Sequence, residues 1–360
     1  MFLTMDKLEL RYPDTFQSWP EAATRLAAAQ VAGAGKTVVV TGASSGIGRC
    51  TAALFSTQGW RVGLIARGMP GLAATQGELR AKGGLAAAIS ADVADAAAVE
   101  HAADHLEQLL GPIDVWINCA GNGVFGPFLS VSDEEFRRVT DVTYNGTVNG
   151  TRAALRRMLP RNRGTIVNVC SGIAYHGMPL LSSYSGAKQA VRGFTDSIRG
   201  ELSQERSAVH ITIVYPPAVN TPFFSHAVSH MAKPPRPMSP VYQPNLVAEG
   251  IFRAATTRGR EMQIGGITVL FGLFTKLFPH LIDRAIRLLG YAGQMTDCPE
   301  ASRLREPTLF AASPAAGCSH GPFNNLARGF SCQMWLARHR LALPLGIAAI
   351  GLLALIARWG

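Results

Sequence analysis

The residues with the most chemical promise form one short constellation. Tyr184 and Lys188 stand four apart in a stretch with helical spacing, so both side chains share a helix face. Free tyrosine has a pKa near 10, about three units too high for an acid–base group poised near neutrality. An ammonium about 5 Å away, at an effective dielectric near 20, favours the phenolate by roughly 3 kcal/mol, about two pKa units. Ser171 closes an apolar run thirteen residues before Tyr184 and offers a hydroxyl. Far upstream, Thr41-Gly42-Ala43-Ser44-Ser45-Gly46-Ile47-Gly48 follows an apolar run and opens a helical one. Glycines there permit a tight turn and close backbone approach to a pyrophosphate, and the helix N-terminus offers free N–H groups to it.

These residues need a frame, and the chain's texture predicts one. Short apolar runs lie at Thr37–Thr41, Val62–Ala66, Leu85–Ser90, Val115–Asn118, Thr165–Val169 and Ile211–Tyr215. Helical stretches fall between them, near 46–58, 71–82, 96–110, 133–158 and 184–205, with another at Asn245–Thr256 and a short strand near Met262–Ile264. Continuous apolar strands alternating with helices predict an α/β fold, a doubly wound parallel sheet covered on both faces.

The glycine spacing, TGxxxGxG, together with Ser171, Tyr184 and Lys188 in that order, resembles the short-chain dehydrogenase/reductase family over about residues 36–265. The resemblance implies a Rossmann-like catalytic domain and hydride transfer between a nicotinamide cofactor and a carbonyl or alcohol. Tyr184 is then the acid/base, Lys188 tunes it and holds the ribose, and Ser171 orients the carbonyl. The implied cofactor contacts are Gly42, Ser44, Ser45, Gly46, Ile47 and Gly48 in the loop, Asp92 and Val93 at the adenine, and Asn118, Ala120 and Gly121 after the fourth strand. Further contacts are Tyr184, Lys188, Pro216, Val219 and Thr221, the last at the nicotinamide carboxamide. Cys119 replaces the second asparagine of the family's NNAG segment. Thr143 stands where many members carry a proton-relay asparagine, so it is the fourth catalytic candidate. Pro217 replaces a glycine.

The second strand ends Ile65-Ala66-Arg67 without the carboxylate that would accept a ribose 2′-hydroxyl. Arg67 instead offers a fork matched to a 2′-phosphate, and Arg49 offers a second charge. NADP(H) is therefore expected over NAD(H).

Composition sets the outer limits. The 360 residues are 48% hydrophobic and 16% charged with net charge +10, which excludes a disordered chain. Six cysteines lack CxxC pairing, and His226 and His230 lack an intervening HExxH glutamate, so no metal site is expected. Basic residues are dispersed, so nucleic acid is not an expected partner. Asp6, Glu9 and Asp14 interrupt the N-terminus, which reads as no signal peptide.

The expected organisation is an N-terminal extension (1–35), the catalytic domain (36–265), an amphipathic helical cap (266–298), a Pro/Gly/Ser/Ala-rich linker (299–340) and a candidate transmembrane anchor (341–357). Leu341–Ala357 is seventeen uncharged apolar residues behind Arg338 and Arg340. It would span roughly 26 Å, with the catalytic domain on the cytoplasmic side. Phe271, Phe274, Leu277, Phe278, Leu281 and Ile282 recur at helical spacing, which suits a cap over the substrate cleft or a helix in a membrane interface. An apolar, lipid-like substrate follows as an expectation. The family resemblance also implies a homo-oligomer. The rival reading is a membrane-tethered dinucleotide-binding protein without turnover, motivated by Thr143 and Pro217.

Overall fold

In a computed structural model, which describes residues 35–338, seven strands form one parallel sheet. They are β1 (Thr37–Thr41), β2 (Arg61–Ala66), β3 (Ala86–Ser90), β4 (Ile113–Asn118), β5 (Thr165–Val169), β6 (His210–Tyr215) and β7 (Glu261–Gln263). Their order across the sheet is β3-β2-β1-β4-β5-β6-β7. Strand order reverses between β1 and β4, and a doubly wound sheet opens its ligand crevice at that point, beyond the carboxyl ends of the strands.

Alternation along each strand feeds two apolar layers. Val38 and Val40 of β1 join Val62, Leu64, Val115 and Ile117 under α1 (Gly46–Thr57), α2 (Met69–Ala81) and Pro244–Thr256. Val39, Ile65 and Trp116 face the other way, under α3 (Ala96–Leu110) and the helices that follow β4 and β5. Leu106 and Phe55 are fully buried, each contributing about 1.5–3 kcal/mol of transfer free energy. Gly63 lets α3 sit this close, because a Cβ there would come 2.9 Å from Leu106 Cδ1.

Local chemistry starts the helices where the sequence asks for them. Asp95 caps α3 by accepting the Ala97 and Ala98 N–H groups. Ser132 and Glu135 form a capping box at α4 (Asp133–Thr140). The single helix expected over 133–158 is broken. A π-turn, Asp141–Asn145, separates α4 from α5 (Gly146–Met158). Such turns recur at functional sites, and Thr143 lies in this one. After β5 comes α6 (Ser182–Gln204), and after β6 α7 (Pro244–Thr256).

The apolar stretch 267–290 is a helix pair, α8 (Gly266–Leu277) and α9 (Pro279–Leu289). Pro279 cannot continue α8 but is tolerated in the first turn of α9. Ile267, Phe271, Ile282 and Ile286 turn toward the crevice, whereas Leu270, Leu273, Leu277, Leu281 and Leu288 are exposed.

Residues 299–338, expected to be a linker, pack on the domain instead. Leu309, Phe323 and Met334 are buried, and Ala327–Arg328 pairs in parallel with Val241–Tyr242, which also pairs with Ala218–Val219. Three apolar anchors spaced along a polar stretch hold it down, a pattern too sparse to register as periodicity. The extension (1–34) and the candidate anchor (341–357) lie outside the described residues. Among the described residues no helix is long and apolar enough to cross a membrane.

Candidate active site

The crevice is a cavity of about 660 Å³ that runs from the glycine loop to the α8–α9 pair. Its floor is built first. The Thr41 hydroxyl accepts the Cys119 and Ala120 N–H groups at 3.0 and 3.2 Å, which ties the loop after β4 to the loop after β1. Gly42 (φ +69°) and Gly46 (φ +54°) take left-handed backbone. A Cβ on Gly42 would come 2.9 Å from the Ala120 Cα, and one on Gly48 would collide with the Gly42 carbonyl. No side chain caps the N-terminus of α1 at Ser45. A loop this rich in glycine, ending at a helix N-terminus that no side chain caps, fits a dinucleotide pyrophosphate.

Ser44, Ser45, Ile47, Asp92, Val93, Ala120, Gly121, Pro216, Val219 and Thr221 all line this cavity, as do Arg67, Ser171, Tyr184 and Lys188. Asn118 does not. Its Oδ1 accepts the Trp116 indole N–H at 2.8 Å, and its Nδ2 donates to Asn168 Oδ1 at 2.8 Å and Thr151 Oγ1 at 3.1 Å. It braces the sheet beneath the cofactor loop rather than touching the cavity. Arg49, offered as a second phosphate charge, is also committed elsewhere. It is buried, paired to Glu78 at 2.5 Å and bonded to the Ala316 and Gly317 carbonyls.

Tyr184 sits in the first turn of α6 with Lys188 one turn on. The Lys188 ammonium donates to the Val169 carbonyl at 2.8 Å and lies 5.6 Å from the centre of the Tyr184 ring. Ser171 lies two residues past β5, accepts the Ile173 N–H at 3.4 Å and hydrogen-bonds Tyr184. The Phe223 ring packs 5.3 Å from the phenol ring.

The electrostatics depart from the sequence expectation. Burial holds the Tyr184 phenol well above its ordinary range, the neighbouring Cys170 and Cys119 add to this, and the Ser171 hydrogen bond opposes it. Burial also pushes Lys188 down, with the cysteines opposing. Desolvation disfavours the phenolate and the ammonium alike, so burial sets the direction of both shifts. Burial likewise raises the Cys119 thiol to about 12 and the Cys170 thiol to about 11.

Thr143 is fully buried beneath the cavity and does not line it. Its hydroxyl donates to the Asn122 carbonyl and accepts the Asn122 N–H, both at 3.3 Å. A Cβ on Gly121 would meet both the Thr143 hydroxyl (3.7 Å) and Lys188 Nζ (3.8 Å), so the two groups face each other across that glycine. Sequence reasoning missed Asn122. Its side-chain oxygen and nitrogen are buried against the cavity without a hydrogen-bond partner among the described residues. No motif marks it, because its only signal is this geometry.

At the end of the cavity beyond β2 and β3, Asp92 accepts the Ala94 N–H at 3.0 Å and pairs with Arg138, a residue the sequence did not single out. His226 lines the cavity, while His230 pairs with Glu135 at 2.9 Å, so the two histidines part company. Residues 306–321 close the outer side of this end.

A sequence profile of the short chain dehydrogenase family matches residues 36–232. The chain is 36% identical over 283 residues to an uncharacterized oxidoreductase, YxnA, of Bacillus subtilis, covering 78% of each chain. It is 32% identical over 241 residues to a 3-ketodihydrosphingosine reductase of Bos taurus, covering 64% of this chain and 71% of the relative. A Burkholderia phymatum short chain dehydrogenase/reductase solved with NAD superposes with a TM-score of 0.63 at 25% identity, covering 69% of this chain and 95% of the other. A metagenomic short-chain oxidoreductase solved with NADP superposes with a TM-score of 0.55 at 26% identity, covering 64% and 97%. With the profile, the sheet order and the glycine loop in agreement, the chain belongs to the short-chain dehydrogenase family of oxidoreductases.

Proposed function

We propose that the protein interconverts an apolar, lipid-like carbonyl and its alcohol with NADP(H). The observation that carries this reading is the position of Ser171 and Tyr184 where the dinucleotide groove meets a chamber walled by Leu181, Phe223, Phe271, Ile282, Ile286 and Leu289. The reductase similarity in Bos taurus supports a substrate with a long apolar chain. Arg67 supports NADP(H) over NAD(H), because it lines the adenosine end and no carboxylate ends β2.

The dinucleotide, when bound, gives or takes the hydride at its nicotinamide ring. Gly42–Gly48 would hold its pyrophosphate, Asp92 and Val93 its adenine, and Lys188 its ribose. In reduction, the Ser171 hydroxyl hydrogen-bonds the substrate carbonyl oxygen and holds it against Tyr184. As the carbonyl carbon is reduced, the Tyr184 O–H gives its proton to the oxygen, leaving an alcohol and a phenolate. The Lys188 ammonium stabilises that phenolate. Thr143, across Gly121 from Lys188, is the proposed station for returning a proton. The burial that raises the phenol pKa keeps it protonated and ready to donate. The exposed leucines of α8 and α9 suit contact with a membrane from which such a substrate would come.

The test is NADPH oxidation at 340 nm against ketones of rising chain length and against small sugars. The expected result is kcat/KM rising with chain length. Preference for a small polar sugar overturns the substrate class.

A further inference from the structure

The segment 306–321 crosses the outer side of the adenosine end with its carbonyl edge turned inward. Arg67 donates to the carbonyls of Thr308 (2.5 Å), Leu309 (3.2 Å) and Phe310 (3.2 Å). Arg138 donates to the Leu309 carbonyl at 3.1 Å, and Arg49 to those of Ala316 and Gly317 at 2.8 and 2.9 Å. The Cys318 carbonyl takes the Gly46 N–H at the head of α1 at 3.0 Å. Three guanidiniums and one helix-terminal N–H, the kinds of donor an anion would seek, are thus answered by backbone oxygens of one strap.

The strap is held at both ends and open in the middle. The Glu306 and Thr308 N–H groups donate to the Ser225 and His226 carbonyls at 3.0 and 2.9 Å. Leu309 is 2% exposed and packs with Val124 and Val139. At the other end Gly321 and Phe323 donate to Asn220, and Phe323 is buried. Between these anchors Phe310–Ala312 and Pro314–Ala316 are exposed, and Ala312, Ser313 and Ala315 border the cavity.

From this we infer that the strap 306–321 is a specificity element of the cofactor site, competing with a ribose 2′-phosphate for Arg67. The inference rests on the reading of the crevice as a dinucleotide site. A 2′-phosphate and the carbonyls of Thr308, Leu309 and Phe310 need the same guanidinium N–H groups. A dinucleotide without that phosphate makes no such demand. The latched strap therefore narrows discrimination between NADPH and NADH, and unlatching it widens discrimination in favour of NADPH. Leu309 sets the balance, since its side chain holds down the stretch that carries the competing carbonyls.

The experiment measures dissociation constants for NADPH and NADH, by cofactor fluorescence, in the full-length chain and two strap variants. Leu309→Ser releases the apolar anchor. Leu309→Ala truncates the same anchor without placing a hydroxyl in its apolar site. Thermal melting with and without cofactor establishes which variants are folded. The expected result is NADPH binding about tenfold tighter in the folded variants, with NADH changed less than about twofold. Adding Arg67→Ala to the variant should erase the gain. An unchanged NADPH-to-NADH ratio, or weaker NADPH binding, overturns the competition and makes the strap an ordinary wall. If the wild-type chain binds neither dinucleotide, the cofactor reading fails and the strap inference fails with it, a result distinct from binding with an unchanged ratio.

Discussion

Replacing Asn118 by leucine separates a structural from a cofactor role at a position the family pattern places beside the dinucleotide. Asn118 is 2% exposed, and each atom of its amide is spoken for. Leucine keeps the branching at Cγ but neither accepts nor donates. The Trp116 indole N–H, bonded to Asn118 at 2.8 Å, loses its acceptor inside a fully buried residue. Asn168 loses its 2.8 Å donor and keeps only the 3.4 Å contact from Thr151 on that oxygen. An orphaned buried polar group costs about 1–3 kcal/mol, so one full and one partial orphan together cost about 2–4 kcal/mol. Gly150 packs directly against the amide, so the larger leucine adds some overpacking. Urea unfolding of wild type and variant, followed by circular dichroism, measures the loss. NADPH titration well below the unfolding midpoint should give a dissociation constant within about twofold of wild type, because the side chain does not border the cavity. A variant of wild-type stability that binds NADPH ten times more weakly would refute this account of Asn118.

Other expected outcomes follow from the same geometry. Because burial holds the Tyr184 phenol high, carbonyl reduction should stay level through neutral pH and fall only in the alkaline range, while alcohol oxidation climbs with pH. Steady-state pH profiles in both directions check this, and an oxidation optimum on the acid side would contradict it. Ile286→Trp should fill part of the apolar chamber and lower kcat/KM for long ketones by about tenfold while sparing short ones. Chain-length series on the two proteins decide the matter, and equal losses at every length would remove α9 from the substrate wall. Timed alkylation with mass spectrometry should label the exposed Cys318 and Cys332 first, with Cys119 and Cys170 resisting because both are sheltered thiols of raised pKa. Early labelling of Cys170 would contradict the packing around Tyr184.

Much of the frame was legible because it follows from strong local rules. Continuous runs such as Thr37–Thr41 and Thr165–Val169 can only be buried strands in an alternating α/β chain, and each became one. The glycine loop and the Tyr184–Lys188 spacing carried their own geometry. What escaped depends on contacts between distant segments. No periodicity marks the π-turn at Asp141–Asn145, after which Gly146 closes against Val93. Asn118 and Arg49 have types suited to a ligand, but a tryptophan two residues away and a glutamate on α2 claim them first. The stretch 299–325 has linker composition, and what binds it to the domain is buried side chains such as Leu309 and Phe323 together with carbonyls taken by Arg49, Arg67 and Arg138. Lowering of Tyr184 by Lys188 was argued from a pair in isolation, whereas in the fold the dry walls around both groups dominate.

Tyr184 is the proposed proton donor, and every other role in the reaction depends on it. Single-turnover mixing of NADPH-loaded wild type and Tyr184→Phe with a long-chain ketone, read at 340 nm, isolates that step. The phenylalanine variant should bind NADPH as wild type does and oxidise it at least about a hundredfold more slowly, the range of a lost general acid. A variant that binds NADPH normally and turns over at the wild-type rate would contradict the central claim.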